Sequence, residues 1–214
     1  MTSKIYSVNF SYASNSMGHR GLTLMSKYVP FTKMITVGDY GIPVCTSNKA
    51  DGNVPDSVKR LNDDLLEADA YVFSIAEMMG GYCGAFKNTL DWLVCLQNES
   101  YELNIPYSIS HKPMVVVTFT PSYKNGSRHW TMTSDLLEKL NCDVKKMYLF
   151  NDCLHNLFPD SYEFVEGESK EIFDVLKTPN EGPKVIETNT GVRTMSQFLY
   201  MYDEWENRWK DIEN

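Results

Sequence analysis

The chain has 214 residues, 43% of them apolar, and a formal net charge of −8. That length suits one α/β domain with an insertion, at roughly 100–200 residues per domain, and the apolar share can fill a core. The acidic balance, with no run of Lys and Arg, argues against a nucleic-acid binder, which needs a cationic face.

Lys4 to Phe10 alternates apolar and polar residues around Ile5, Val8 and Phe10, which predicts a first strand. A polar loop, Ser11 to Ser16, leads into a helix from about Gly18 to Tyr28. Its inner face carries Leu22, Met25 and Val29, and Pro30 ends it. Met34 to Val37 predicts a short second strand, and 44–55, rich in Asn, Asp, Ser and Gly, a surface excursion. Asp56 is placed to cap the next helix, whose inner face carries Val58, Leu61 and Leu65. Tyr71 to Ile75 is almost unbroken apolar sequence, as a central parallel strand covered on both faces should be.

A helix opening at Gly84 carries Phe86, Leu90, Leu93 and Leu96 inward. Met114 to Phe119 predicts the fourth strand. The loop Thr120–Ser127 then leads to a helix with Trp130, Leu136, Leu137 and Leu140, and Val144 to Phe150 predicts the fifth strand. This rhythm of strand, loop and helix implies βαβ units: an α/β fold with a doubly wound, five-stranded parallel sheet and helices on both faces.

One domain is expected across 1–214, with an irregular excursion at about 151–193. That excursion holds a helical candidate at Ser169–Lys177 and a short strand near Val185 and Ile186. An amphipathic helix at about 195–212 closes the chain, with Thr194 and Gln197 as a capping pair. Its Met195, Phe198, Tyr202, Trp205 and Trp209 line one face, to be covered by the core or by another subunit.

Cys45, Cys83, Cys95, Cys142 and Cys153 are dispersed, with no CxxC, so reduced thiols are expected rather than a metal centre or a disulfide framework. The apolar runs are too short for a membrane helix and MTSKIYSVNF is no signal peptide, which points to a soluble cytoplasmic protein. No GxSxG, Walker or HExxH motif is spelled, so no catalytic side chain and no metal ligand is assigned.

In a doubly wound sheet the ends of the first, third and fourth strands gather at the topological switch point, where ligands bind. Three loops therefore meet: Ser11–Met17, Ala76–Gly84 and Thr120–Ser127. The first offers the hydroxyls of Ser11, Ser14 and Ser16 and the amides of a helix N-terminus, a donor set suited to a phosphate monoester. A plain helix cap at Ser14 or Ser16 is the competing reading. In the second loop Gly80 and Gly81 let the backbone approach a flat ring, or serve only the geometry of a tight turn. The third is a ligand contact or a free surface loop.

Two spellings carry a resemblance. Ala68-Asp69-Ala70, the apolar strand after it and Gly84-Ala85-Phe86-Lys87-Asn88-Thr89-Leu90-Asp91-Trp92 follow one pattern. It is roughly AD, an apolar run, PEYN, a small residue, GxLKN, apolar residues and DW, as in NAD(P)H-dependent FMN reductases. The chain resembles that family over roughly 4–150. It departs from it at Ala76-Glu77-Met78-Met79, where the family has PEYN, and in the first loop, where Ala13 and Gly18 replace the Arg and Asn of GSxRxxSxNxxL.

The resemblance implies a flavodoxin-like fold, non-covalent FMN and hydride transfer from NAD(P)H. Electrons would pass to a small acceptor: a quinone, an azo compound, a metal ion or free flavin. It implies a homodimer or homotetramer with the Lys87–Trp92 helix near the contact. The FMN contacts would be Ser11, Ala13, Ser14, Ser16 and Met17; Ala76, Glu77, Met78, Met79, Gly80 and Gly81; and Thr120, Pro121 and Ser122. Two rivals are a flavodoxin-type electron carrier and a binding module of the same fold that has lost FMN.

Overall fold

Strand β1 (Ile5–Phe10) lies between two parallel neighbours, β2 (Phe31–Thr36) on one side and β3 (Ala70–Ile75) on the other. The computed structural model describes residues 4–46, 54–99, 108–120, 127–150, 171–172, 174–176 and 185–188. Beyond β3 the sheet continues with β6 (Pro113–Phe119) and β7 (Asp143–Phe150), all parallel. The expected five strands are thus present in the order 2-1-3-6-7, the flavodoxin-like arrangement. A sixth parallel strand, β8 (Val185–Thr188), extends the edge beside β7. It includes the short strand expected near Val185 and Ile186. The rest of the 151–193 excursion, apart from helical residues at 171–172 and 174–176, lies outside the described residues, as does the 195–212 helix.

The central strands are buried on both faces because their side chains alternate between two apolar layers. Tyr71, Phe73 and Ile75 of β3 and Met114 and Val116 of β6 enter one layer. There they meet helix α2 (Asp56–Leu66) through Val58, Leu61 and Leu65, and α3 (Gly84–Glu99) through Phe86, Leu90 and Leu93. Helix α4 (Ser127–Lys139) adds Trp130 and Leu137 to it. Ala70, Val72, Val115, Val117 and Phe119 enter the other layer with α1 (Met17–Met25), Ile172 and Leu176.

Helix α1 approaches the sheet closely because its inner face carries glycines. A Cβ on Gly18 would overlap Ser74 Oγ and Asn9 Oδ1, and one on Gly21 would enter the Phe119 ring, itself stacked on Phe150. Small side chains there let the first turn of α1 settle directly over the ends of β1 and β3.

Four boundaries differ from expectation, each for a local reason. Helix α1 ends at Met25 rather than Tyr28; tight turns continue through Val29, whose amide still reaches the Met25 carbonyl at 2.8 Å. Strand β2 starts earlier, at Phe31, because an edge strand needs only one apolar face: Thr32 and Met34 are exposed. Val37 belongs not to β2 but to a 3₁₀ turn (Val37–Tyr40). Asp56 is the first helical residue of α2; the cap position is Pro55, with no side-chain cap bond, so Asp56 acts through its charge near the helix start.

Gly21→Ala gains about 1 kcal/mol of helix propensity but faces an overpacking cost of about 1–3 kcal/mol. A net loss of stability is expected in urea denaturation, while Gly84→Ala, with nothing near its added methyl, stays near wild type. A Gly21→Ala protein more stable than wild type would contradict the close helix–sheet contact.

Candidate functional site

The ends of β1, β3 and β6 lie side by side as the topology requires, and specific bonds tie the described residues that follow them. The Cys83 thiol donates to the Phe10 carbonyl at 3.1 Å, joining the second loop to the end of β1. Thr120, at the end of β6, hydrogen-bonds the Glu77 carboxyl and so joins the second loop to the third. From α3, Asn88 Nδ2 donates to the Tyr12 hydroxyl at 3.1 Å and to the Pro43 carbonyl at 2.9 Å. Asn88 Oδ1 accepts the Cys45 amide at 2.7 Å, and Trp92 Nε1 also donates to Pro43, at 2.8 Å. Asn88 and Trp92 organise the site without having been assigned to it. Their signal was in plain view: one face of α3 repeats polar and aromatic residues where only apolar ones are needed for packing.

In the first loop, two of the three hydroxyl oxygens are engaged by the protein itself. Ser11 Oγ accepts the Ala13 amide at 3.1 Å, and Ser16 caps α1 by accepting the His19 amide at 3.2 Å. The cap reading therefore holds for Ser16, whose Oγ also accepts from Asn9 Nδ2 at 3.0 Å. Ser14 and Ala13 are exposed and Met17 is half-buried. The amides of Ser14, Asn15, Met17 and Gly18 meet no acceptor among the described residues, which leaves a run of donors at the start of α1. Arg20 turns back along this loop, its Nε donating to Asn15 Oδ1 at 2.8 Å. His19 points elsewhere, 3.5 Å from Thr36 Oγ1 on β2.

The second loop is not irregular. Glu77–Met78 (β4) and Gly81–Tyr82 (β5) pair antiparallel as a miniature hairpin. Met79 and Gly80, its two turn residues, have φ of 53° and 76°, the left-handed pair that a tight two-residue hairpin turn demands. Gly80 meets that demand without strain, and Met79 carries it at the tip, 99% exposed, beside Met78 at 59%. Ala76 is half-buried at the hairpin base, and a Cβ added to Gly81 would lie 3.6 Å from the Met132 side chain on α4.

Under the hairpin lies a buried polar group of residues. Oε2 of Glu77 is buried with no partner among the described residues, and burial raises its carboxyl above the ordinary range, against the opposing Thr120 bond. His129 of α4 is fully buried, its Nε2 2.8 Å from Thr118 Oγ1. Burial lowers its pKa to about 4, with a smaller opposing influence from the Gly81 backbone. Pro121 and Ser122 lie outside the described residues, as does the rest of the third loop through residue 126.

Among the described residues no group of His, Cys, Asp and Glu is arranged to hold a metal, and no helix is long and apolar enough to cross a membrane.

His129 makes stability pH-dependent with a definite sign. Its folded pKa lies below the unfolded value of about 6.5, so its contribution is complete above that value and is lost as pH falls toward about 4. From about pH 7 to about pH 5 the wild type should lose about 2 kcal/mol relative to His129→Gln in paired denaturation curves. A pH-independent difference between the two would show that the ring is not held neutral.

A family model described as NADPH-dependent FMN reductase matches residues 5–149. A comparison with curated protein sequences found no match. Among solved structures, FerB, a flavoenzyme NAD(P)H:(acceptor) oxidoreductase from Paracoccus denitrificans, superposes with a TM-score of 0.60 at 17% identity, covering 82% of this chain and 98% of that one. The apo form of the NADH:FMN oxidoreductase EMOB gives 0.52 at 13% identity, covering 85% and 95%. An FMN-dependent NADH-azoreductase from Bacillus anthracis, solved with FMN, gives 0.51 at 11% identity, covering 79% and 99%. At these identities the likeness is one of fold; the family match, spanning most of the sheet and all three strand ends, decides membership. The chain belongs to the NADPH-dependent FMN reductase family.

Proposed function

We propose that the rim formed by the three loops binds one FMN non-covalently, that NAD(P)H reduces it, and that a small acceptor such as a quinone, an azo compound, a metal ion or free flavin receives the electrons. The observation that carries this reading is the run of amides at Ser14, Asn15, Met17 and Gly18 that meet no acceptor among the described residues, set at a helix start beside the ends of β1 and β3. The relatives named above, which act on FMN or on acceptors through NAD(P)H, support the same reaction class.

The residues present fit the cofactor. A phosphate monoester dianion accepts hydrogen bonds only, and the amide run, the exposed Ser14 hydroxyl and the α1 dipole all favour an anion without a lysine. Arg20, drawn back to Asn15, puts a cation beside this loop although Ala13 stands where the family has arginine. The hairpin supplies exposed backbone and the Glu77 carboxyl, whose buried Oε2 has no partner among the described residues and would accept from a ring N–H. When bound, FMN supplies the hydride-accepting and electron-donating chemistry.

The protein's own work is to bind, orient and shield. Ser11 and Ser16 fix the shape of the first loop; Asn88 holds that loop against α3 through Tyr12, and Asn88 and Trp92 together hold the neighbouring 43–45 segment through Pro43. His129, held neutral by burial, adds no charge to the hairpin floor, and burial raises the Glu77 carboxyl above its ordinary range. Met78 and Met79 offer soft apolar contact to a ring, an acceptor or a second subunit. Exposed Tyr12 and Val44, flanking Asn88, support a homodimer or homotetramer in which another copy covers them.

Two measurements test the proposal. Purified protein loaded with FMN should oxidise NADPH or NADH steadily in the presence of a quinone; a flavin-loaded protein that does not turn over would instead be an electron carrier. Gly80→Val forces a β-branched residue into the left-handed turn, a strain of about 1–2 kcal/mol, and should weaken FMN binding by about tenfold or more with the far-UV spectrum unchanged. Undiminished FMN affinity in that variant would remove the hairpin from the site.

A further inference from the structure

The half-buried thiols of Cys45 and Cys95 lie with their sulfurs 3.9 Å apart, although 50 residues separate them in the chain. Their proximity is built by other bonds. Asn88, Trp92 and Cys95 repeat at i, i+4 and i+7, so they share one face of α3. The first two grip the segment that carries Cys45, through the Pro43 carbonyl and the Cys45 amide itself. The Cys45 backbone is thus fixed over α3 before its side chain makes any contact. No comparable arrangement serves the other described cysteines: Cys83 is bonded to Phe10, and Cys142 is pushed up to about 12 by burial.

We infer that Cys45 and Cys95 are a modification site that closes to a reversible disulfide when the protein meets a hydroperoxide. One thiol attacks a peroxide oxygen; the O–O bond breaks, water leaves and a sulfenic acid remains. The second sulfur then attacks the sulfenic sulfur; the S–S bond forms, the S–O bond breaks and a second water leaves. Two thiols and one hydrogen peroxide become one disulfide and two waters, with the sulfurs oxidised by two electrons and the peroxide reduced by two. The sulfurs must close from 3.9 Å to about 2.05 Å for the bond to form.

The bond would lock the 43–45 segment, and through Asn88 the Tyr12 loop, onto the helix. It goes beyond the flavin reading and stands without it. Burial, then Cys95, then Asp91 push the Cys45 thiol up to about 11, with Lys87 opposing, so closure is slow at neutral pH and quickens as pH rises.

Sequence makes the test clean. Trypsin releases Cys45 in a peptide running from Met34 to Lys49 and Cys95 in a peptide starting at Asn88, and neither holds another cysteine. The full-length protein is treated with hydrogen peroxide, its remaining thiols are blocked with N-ethylmaleimide, and the digest is read by mass spectrometry without reductant. The expected result is one linked species carrying most of both peptides, two hydrogens lighter than their sum, which dithiothreitol splits and Cys95→Ser abolishes. Recovery of the two peptides separately, blocked or over-oxidised, overturns the inference. So does a disulfide that pairs either cysteine with Cys83 or Cys142.

Discussion

Asn88 donates to Tyr12 and Pro43 and accepts from Cys45, so one carboxamide joins the first loop, the segment after the 3₁₀ turn and α3. Only a group with both donors and an acceptor on one short stem can make all these bonds, and a carboxylate or an ammonium of similar length cannot. Trp92, one turn later, doubles the hold on Pro43. The cradle at the strand ends is therefore held from the side by a helix that contributes no residue to the assigned contacts. Loops that must receive a ligand gain little from packing among themselves, and this lateral bracing substitutes for it.

The floor of the cradle shows a second constraint. Close approach of α1, allowed by Gly18 and Gly21, brings the helix start to the ends of β1 and β3, while the hairpin seats Glu77 against Thr120. A carboxyl raised by burial and a histidine lowered by burial lie under that hairpin, and both shifts run toward the neutral form. Under the proposed reading, an acidic chain gains from offering an anionic cofactor amide donors rather than side-chain cations.

Much of the fold was legible because the central strands follow a simple rule. Tyr71 to Ile75 and Met114 to Phe119 are apolar at nearly every position, which only a sheet covered on both faces requires. The edges were harder to read. The first half of β2 hides because Thr32 and Met34 face outward, and Val37 is apolar because a 3₁₀ turn buries it. The hairpin at Glu77–Tyr82 was invisible to periodicity: two residues per strand give no pattern, and Met79 in a left-handed turn is a rare choice.

The motif that carried the family resemblance is mainly structural. Asp69 accepts the Lys4 amide at 2.8 Å and pins the start of β1, Lys87 pairs with Asp91 at 2.5 Å, and Asn88 and Trp92 brace the rim. Its spelling identified the scaffold, whereas the proposed ligand contacts rest on backbone amides, which no side-chain pattern encodes. Ser16 illustrates the limit: the bond it makes to the start of α1 is a helix cap.

The central claim is that the ends of β1, β3 and β6 form one cradle for FMN, and amide chemical shifts of the isotope-labelled protein test it most directly. On titration with FMN, the account predicts that the amides of Ser14, Asn15, Met17, Gly18, Gly80 and Gly81 shift together and saturate at one FMN per chain, while those of the β2 edge stay still. Saturable shifts confined to any other surface, or none at all in these six, would contradict it.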